Sequence, residues 1–381
     1  MSGVKIKAAT NNGSAEIAGP PDSSANTVLK LPADTGAAGK VLKVKSANHS
    51  ATNAELEWGT EGQDLTKLNL DGTTNSSKAA GDFWYQSSDG KFYFAGTASG
   101  IWSTGATISS NRGIGSGNGT LYAGLITSGF TGSTYLTTVQ EYDGSAWSAK
   151  TSCSTASYGP QGLGTTSAAL KFGGFTGSYI KTSEEYDGSS WAAGGSCIAT
   201  VGMSVGGAGT QTAGLSIGGR SASATFLSSC EKYDGSSWSS TASLSNSIYN
   251  MASGGTQTAA ICAGGYDGST RVDTTEEFDG TSWSAGGDMI AGRNSPTCGG
   301  VQLNFIVTNG NSNSSTYLTS TELYNGTTWS AGPTALYGYV YVMSSGGSGD
   351  CFGAGGYDGS YKNTTQEYET TIDAMLKAEV I

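Results

Sequence analysis

Apolar residues between positions 103 and 372 come in short bursts, such as AALKF before Gly173-Gly174 and AAICA before Gly264-Gly265, separated by polar stretches rich in Gly, Ser, Thr and Asn. Runs of that length bounded by turn residues predict strands. The segment 148–191 predicts four of them. GTTSAALKFGG is a turn followed by small and apolar residues suited to a strand near a crowded axis. FTGSYIKTSEEY is a loop leading into a strand whose Tyr186 faces inward. Asp187-Gly188 is a hairpin dipeptide, and Trp191 begins an outer strand. Tyr186 and Trp191 can then share one face and fill the gap to a neighbouring sheet.

The same phrase returns along the chain as EYDGSAW, EYDGSSW, KYDGSSW, EFDGTSW and LYNGTTW. Its aromatic column is Tyr142, Tyr186, Tyr233, Phe278, Tyr324 and Tyr368. Glycine columns agree independently: Gly129, Gly174, Gly219, Gly265, Gly310 and Gly356, and ten residues earlier Gly119, Gly164, Gly209, Gly255, Gly300 and Gly346. Six copies of a unit of about 45 residues signal a solenoid or a propeller.

Gly-Gly, a loop, Glu-x-Tyr-Asp and then Trp resemble the kelch repeat, whose units form the blades of a β-propeller. The glutamate column is Glu184, Glu231, Glu276 and Glu322, with Gln140 and Gln366 at the two ends. The Tyr-to-Trp spacing is one residue shorter than the family commonly shows, which implies a tighter hairpin. The sixth phrase stops at Glu367-Tyr368 without its tryptophan, whereas Trp102 stands one period before Trp147. A propeller must close, because an open edge leaves backbone groups unpaired. The strand at Trp102, near 100–104, is therefore expected to complete the last blade. The expected fold is all-β: a six-bladed kelch-like propeller over 81–381, preceded by a small β-rich assembly segment over 1–80.

Composition narrows the function. Charged residues are 13 % of the chain and the formal charge is −11. The excess of acid lies wholly after residue 80. Such a body gains nothing from phosphate neutralisation, so no nucleic-acid partner is expected. It would be repelled by anionic membranes, and no stretch is long enough to insert into one or to act as a signal. The six cysteines show no close-pair metal spacing, and free thiols are expected. No cofactor or metal is expected either. Copper oxidases built on propellers need two His ligands at the mouth, and the single His, His49, precedes the repeats.

Residues 26–61 resemble N-terminal segments of bacteriophage tail-fibre and other virion proteins, through Leu31-Pro32, Gly36, Gly39, Val41-Leu42, Leu56 and Trp58. GDFWYQSSDGKFYFAG at 81–96 resembles a hairpin found in such proteins. The resemblance implies a virion protein assembled in the host cytoplasm. Residues 1–80 hold few large apolar side chains, so they are expected to bury surface against other virion proteins or copies of themselves, a trimer being one such arrangement.

Four aspartates, Asp143, Asp187, Asp234 and Asp279, each stand alone before Gly, which is turn chemistry rather than a Ca²⁺ loop. The repeated glutamates are expected to hold backbone amides rather than form a catalytic pair. The recognition candidates are Arg112, Tyr158, Tyr249, Arg293 and Tyr339, sixteen or seventeen residues before the second Gly. To them are added Phe175, Tyr179, Tyr266 and Tyr357 from the loops after Gly-Gly. Aromatics and Arg on one face suit sugar stacking or a protein partner. Attachment to a host surface glycan or protein is the expected function. A structural decoration role and a polysaccharide-trimming enzyme are its rivals, and the enzyme needs paired carboxylates in one blade, where only repeated ones stand.

Overall fold

The computed structural model describes residues 100–369, apart from 200–205, 222–224, 314 and 348, and before them the backbone of short strands. Residues Gly100–Glu369 form one compact unit, and Met1–Ser99 with Thr370–Ile381 another. In the latter, Asp82–Gln86 and Lys91–Ala95 pair as the hairpin expected near 81–96, and Val41–Val44 pairs with Leu56–Trp58. The assembly role expected of residues 1–80 lies outside the described residues.

The unit Gly100–Glu369 is a six-bladed β-propeller, each blade a four-stranded antiparallel sheet. Blade 1 runs from its innermost strand Ser116–Thr120 through Ala123–Thr127 and Val139–Tyr142 to the outer strand Trp147–Lys150. Blades 2 to 5 repeat this order, ending at the outer strands Trp191–Ala193, Trp238–Thr241, Trp283–Ala285 and Trp329–Ala331. Blade 6 supplies only Met343–Ser345, Asp350–Ala354 and Thr365–Glu369 from its own stretch of chain. Its outer strand is Ile101–Gly105, paired antiparallel with Thr365–Glu369 so that Trp102 lies opposite Tyr368. The Trp102 and Tyr368 rings are 5.2 Å apart, a contact of the kind made at Tyr142–Trp147 (4.7 Å) and Tyr186–Trp191 (4.9 Å). The phrase that opens in blade 6 is thus completed by a strand 266 residues earlier in the chain.

Inside each hairpin the aspartate closes the turn. Asp187 Oδ1 accepts from the amides of Ser189 and Ser190, both at 2.7 Å, and these bonds hold its carboxyl well below the usual range. The glycine after it, Gly188, has φ 91°, a backbone state closed to other residues. The loop therefore spans four residues, Asp187–Ser190, longer than a two-residue hairpin, with Tyr186 directly opposite Trp191.

Two further bonds join the blades. The Trp147 indole donates to Ala106 O, Trp191 to Thr151 O and Trp238 to Gly195 O, each at 3.0 Å. Trp283 donates to Ala242 O at 3.1 Å and Trp329 to Gly287 O at 2.9 Å. Each acceptor stands four residues after the tryptophan of the preceding blade, and Ala106 is four after Trp102. The glutamate column clamps the segment that enters its own blade: Glu231 accepts from Ile198 N and Ala199 N at 2.8 and 2.7 Å, and Glu184 from Ser154 N at 3.1 Å. At the two ends Gln140 accepts from Ser109 N and Gln366 from Tyr337 N. The expectation that this column holds backbone amides is met in every blade.

Trp102 is 8 % exposed and its indole donates to Thr321 Oγ1 at 3.0 Å. Trp102→Ala is expected to cost about 3–5 kcal/mol in urea unfolding, and the same change at Trp329 is expected to cost a similar amount. A Trp102→Ala protein as stable as the parent would contradict the closure.

Candidate functional site

The loops between the second and third strands all emerge on one face. A glycine starts them, the second of a Gly-Gly pair in four blades and following Ser128 and Asn309 in the other two. Its φ lies between 82° and 114° in all six blades, which turns the chain sharply off the strand and favours glycine. The loop then bridges back to the segment entering the same blade. Tyr158 and Phe175 exchange backbone bonds of 2.9 and 2.8 Å, and Tyr249 and Tyr266 bonds of 3.2 and 3.0 Å. Gly113–Phe130, Asn294–Asn311 and Val340–Tyr357 repeat the arrangement. A second bridge folds five of the loops on themselves, at Phe130–Tyr135, Phe175–Tyr179, Tyr266–Arg271, Asn311–Tyr317 and Tyr357–Tyr361.

This scaffold holds the loop rings half-buried in edge and tilted contacts. Tyr357 meets Tyr361 at 5.1 Å, Tyr361 meets Phe130 at 5.7 Å, and Phe130 meets Tyr158 at 5.6 Å. Tyr135 meets Phe175 at 6.2 Å, and Phe175 meets Tyr179 at 5.1 Å. A continuous aromatic arc thus runs over blades 6, 1 and 2. Over blades 3 and 4 Phe226 lies flat on Tyr249, 4.7 Å apart at 7°. Burial pushes the Tyr158, Tyr249 and Tyr361 phenols up, so at neutral pH the face offers uncharged hydroxyls and ring surfaces.

Of the residues singled out in the sequence, Tyr158, Phe175, Tyr179, Tyr249, Tyr266 and Tyr357 stand on this face. Arg112, Arg293 and Tyr339 do not: they are buried in the propeller. The spacing explains the difference. Tyr158 and Tyr249 lie sixteen residues before the second Gly, in line with Gly113, Asn294 and Val340, whereas Arg112, Arg293 and Tyr339 lie seventeen before it, in line with Ser157 and Ile248. In extended chain a shift of one residue reverses the side-chain direction. Arg112 Nη1 donates to Ser128 O at 3.1 Å and to Thr138 Oγ1 at 2.7 Å. Arg293 pairs with Glu322 and donates to Ser320 O at 2.8 Å. Tyr339 stacks on Tyr337 at 5.4 Å.

One further column was not singled out. Fifteen residues before the second Gly stand Ile114, Gly159, Asn250, Ser295 and Tyr341, all with φ between 55° and 66°. They ring one end of a central channel of about 260 Å³, lined by glycines such as Gly117, Gly162, Gly207 and Gly254 from the innermost strands. Gly159 and Asn250 are residue types that favour this backbone state, and they are the signal by which the column can be found. Tyr341 places a half-buried ring at the channel end. Among the described lining residues only Cys298 and Tyr341 are titratable.

All six cysteines are unpaired, and among the described residues no group of three His, Cys, Asp or Glu side chains is placed to hold a metal. Compared with known proteins, the chain matches no family model and no curated protein sequence. The fold and the site stand on the geometry above.

Arg112 and Arg293 differ in a testable way. Burial lowers the Arg112 guanidinium to about 10, and where Arg293 faces Glu322 the equivalent residue of blade 1 is Gln140. Arg293→Met leaves a buried carboxylate unpaired and is expected to cost about 3–5 kcal/mol in urea unfolding. Arg112→Met leaves no charge behind, and the expected loss is below about 1.5 kcal/mol. Equal losses would contradict the charge assignment.

Proposed function

We propose that this chain is a bacteriophage virion protein, a tail fibre or similar appendage, whose kelch-type propeller attaches the particle to a host surface glycan without catalysing a reaction. One observation carries the reading. The loops after the second Gly vary, as FTGSTYL, RSASATFL and NSNSSTYL show, and their described aromatic rings gather on a single face. The hairpins that pack the blades stay nearly constant. Variation inside a repeat marks freedom that a binding surface uses. Half-buried rings held by backbone bridges can stack on sugar rings at little ordering cost.

The virion assignment rests on the tail-fibre-like pattern from Leu31-Pro32 to Trp58, and on that ground residues 1–80 serve to dock on other virion proteins or on copies of the same chain. Binding is favoured over hydrolysis because the recurring third-strand glutamates are occupied by backbone amides. A second reading, a decoration protein that docks by its propeller on a virion neighbour, draws on Ile198, Ile290 and Leu336. These apolar side chains are 52 %, 62 % and 43 % exposed in the segments crossing from one blade to the next.

Replacing Tyr135, Tyr179 and Tyr361 together by Ala in the full chain tests the reading on an array of bacterial surface glycans. Three lost stacking contacts are expected to weaken binding roughly tenfold or more, with a melting temperature close to the parent's. A triple variant that binds the same glycans as tightly as the parent would contradict it, and a parent that binds none would favour docking on a virion neighbour.

A further inference from the structure

The aromatic face is not uniform in charge. Near the arc over blades 6, 1 and 2 stand Lys362 and Lys181, and both are engaged: Lys362 pairs with Asp358 at 2.9 Å, and Lys181 donates to Ile198 O at 2.8 Å. Over blades 3 and 4 stand Arg220 and Arg271, both half-buried, and among the described residues neither has an ion pair. In each, Nε is buried and meets no acceptor.

The backbone brings these two arginines to one place. Arg220 stands directly opposite Phe226 in its blade, and the Phe226 ring lies flat on Tyr249. Tyr249 bridges to Tyr266, and Tyr266 to Arg271, whose guanidinium sits 5.4 Å from the Tyr266 ring centre. Both cations lie within electrostatic reach of the Tyr249 phenol, which burial raises and which Arg220 and Arg271 pull back. The nearby Asp267 forms no ion pair with either of them. Its carboxylate is closed into its own turn, accepting from Ser269 N and Thr270 N at 2.7 Å and from Ser269 Oγ at 2.8 Å.

A pair of guanidiniums with no hydrogen-bond acceptor among the described residues, set against flat rings on a body of charge −11, calls for an anion brought by a ligand. Guanidinium is the side chain that matches an oxyanion with two parallel donors, and a ring beside it can carry the attached sugar. We propose that Arg220, Tyr249 and Arg271 receive the carboxylate of an acidic sugar, so that blades 3 and 4 read the charged residue of the glycan while the arc over blades 6, 1 and 2 stacks on its neutral residues. This inference rests on the glycan reading of the face.

The test is an array holding neutral, uronic-acid-containing, sialylated and phosphorylated oligosaccharides, probed with the full chain and with its Arg220→Gln/Arg271→Gln and Arg220→Lys/Arg271→Lys variants. The parent is expected to prefer carboxylated glycans. The Gln pair is expected to lose at least roughly tenfold in affinity for them at an unchanged melting temperature, and the Lys pair, which keeps charge but not the fork, to lose less. Reducing the carboxyl groups of a bound glycan to alcohols is expected to abolish the preference. Persistence of binding after reduction, or a preference for the phosphorylated members, overturns the carboxylate assignment. Hits that are all neutral and equal between parent and Gln pair overturn the proposal but leave the aromatic face intact. If the parent binds no glycan, the underlying reading fails with it.

Discussion

The joint between the first and last blades carries the rest of this structure. Five blades contain all their strands in one stretch of chain, and the sixth borrows its outer strand from Ile101–Gly105. Without that strand the backbone groups of Thr365–Glu369 that face it would lie unpaired at an exposed edge. The borrowed strand also restores the chain of indole-to-carbonyl bonds, since the Trp147 indole finds its acceptor at Ala106, just past the closing strand. Circular continuity thus depends on a few residues near Trp102, whose own indole ties the last blade to blade 5 through Thr321 Oγ1.

Closure sorts the residues radially. Near the axis the innermost strands approach so closely that a side chain on Gly117 would strike the Ser344 backbone, and one on Gly299 would strike Cys351, so small residues fill that layer. Towards the periphery the gaps widen and the Tyr–Trp hairpins fill them. The two buried layers take up the repeat's constant positions, and the turns after the second Gly are held mainly by their backbone bridges. Side chains that the fold does not dictate have room there, and the aromatic face and the pair Arg220–Arg271 lie in that least constant part of the unit.

Much of this was legible in the sequence. The period, the hairpin, the closing role of Trp102 and the amide-holding role of the glutamates each follow from a residue type that one physical task demands in every copy. The errors and omissions have equally physical sources. Tyr339 and Tyr158 look alike in sequence, yet one residue of offset from the second Gly sends the first into the core and the second to the face. Arg112 and Arg293 share that offset of one residue, and their guanidiniums satisfy main-chain carbonyls that no residue type announces. The tryptophan tethers were hidden for the same reason, their acceptors being main-chain oxygens of Ala, Thr and Gly. The Tyr341 column was marked only by Gly159 and Asn250.

Native-state hydrogen exchange on the full chain tests the closure most directly. The amides that join Ile101–Gly105 to Thr365–Glu369 are predicted to exchange only through global unfolding, as slowly as those joining Ser183–Tyr186 to Trp191–Ala193. Exchange at 101–105 far faster than in the other outer strands, while blades 1 to 5 stay protected, would contradict a ring closed by that strand.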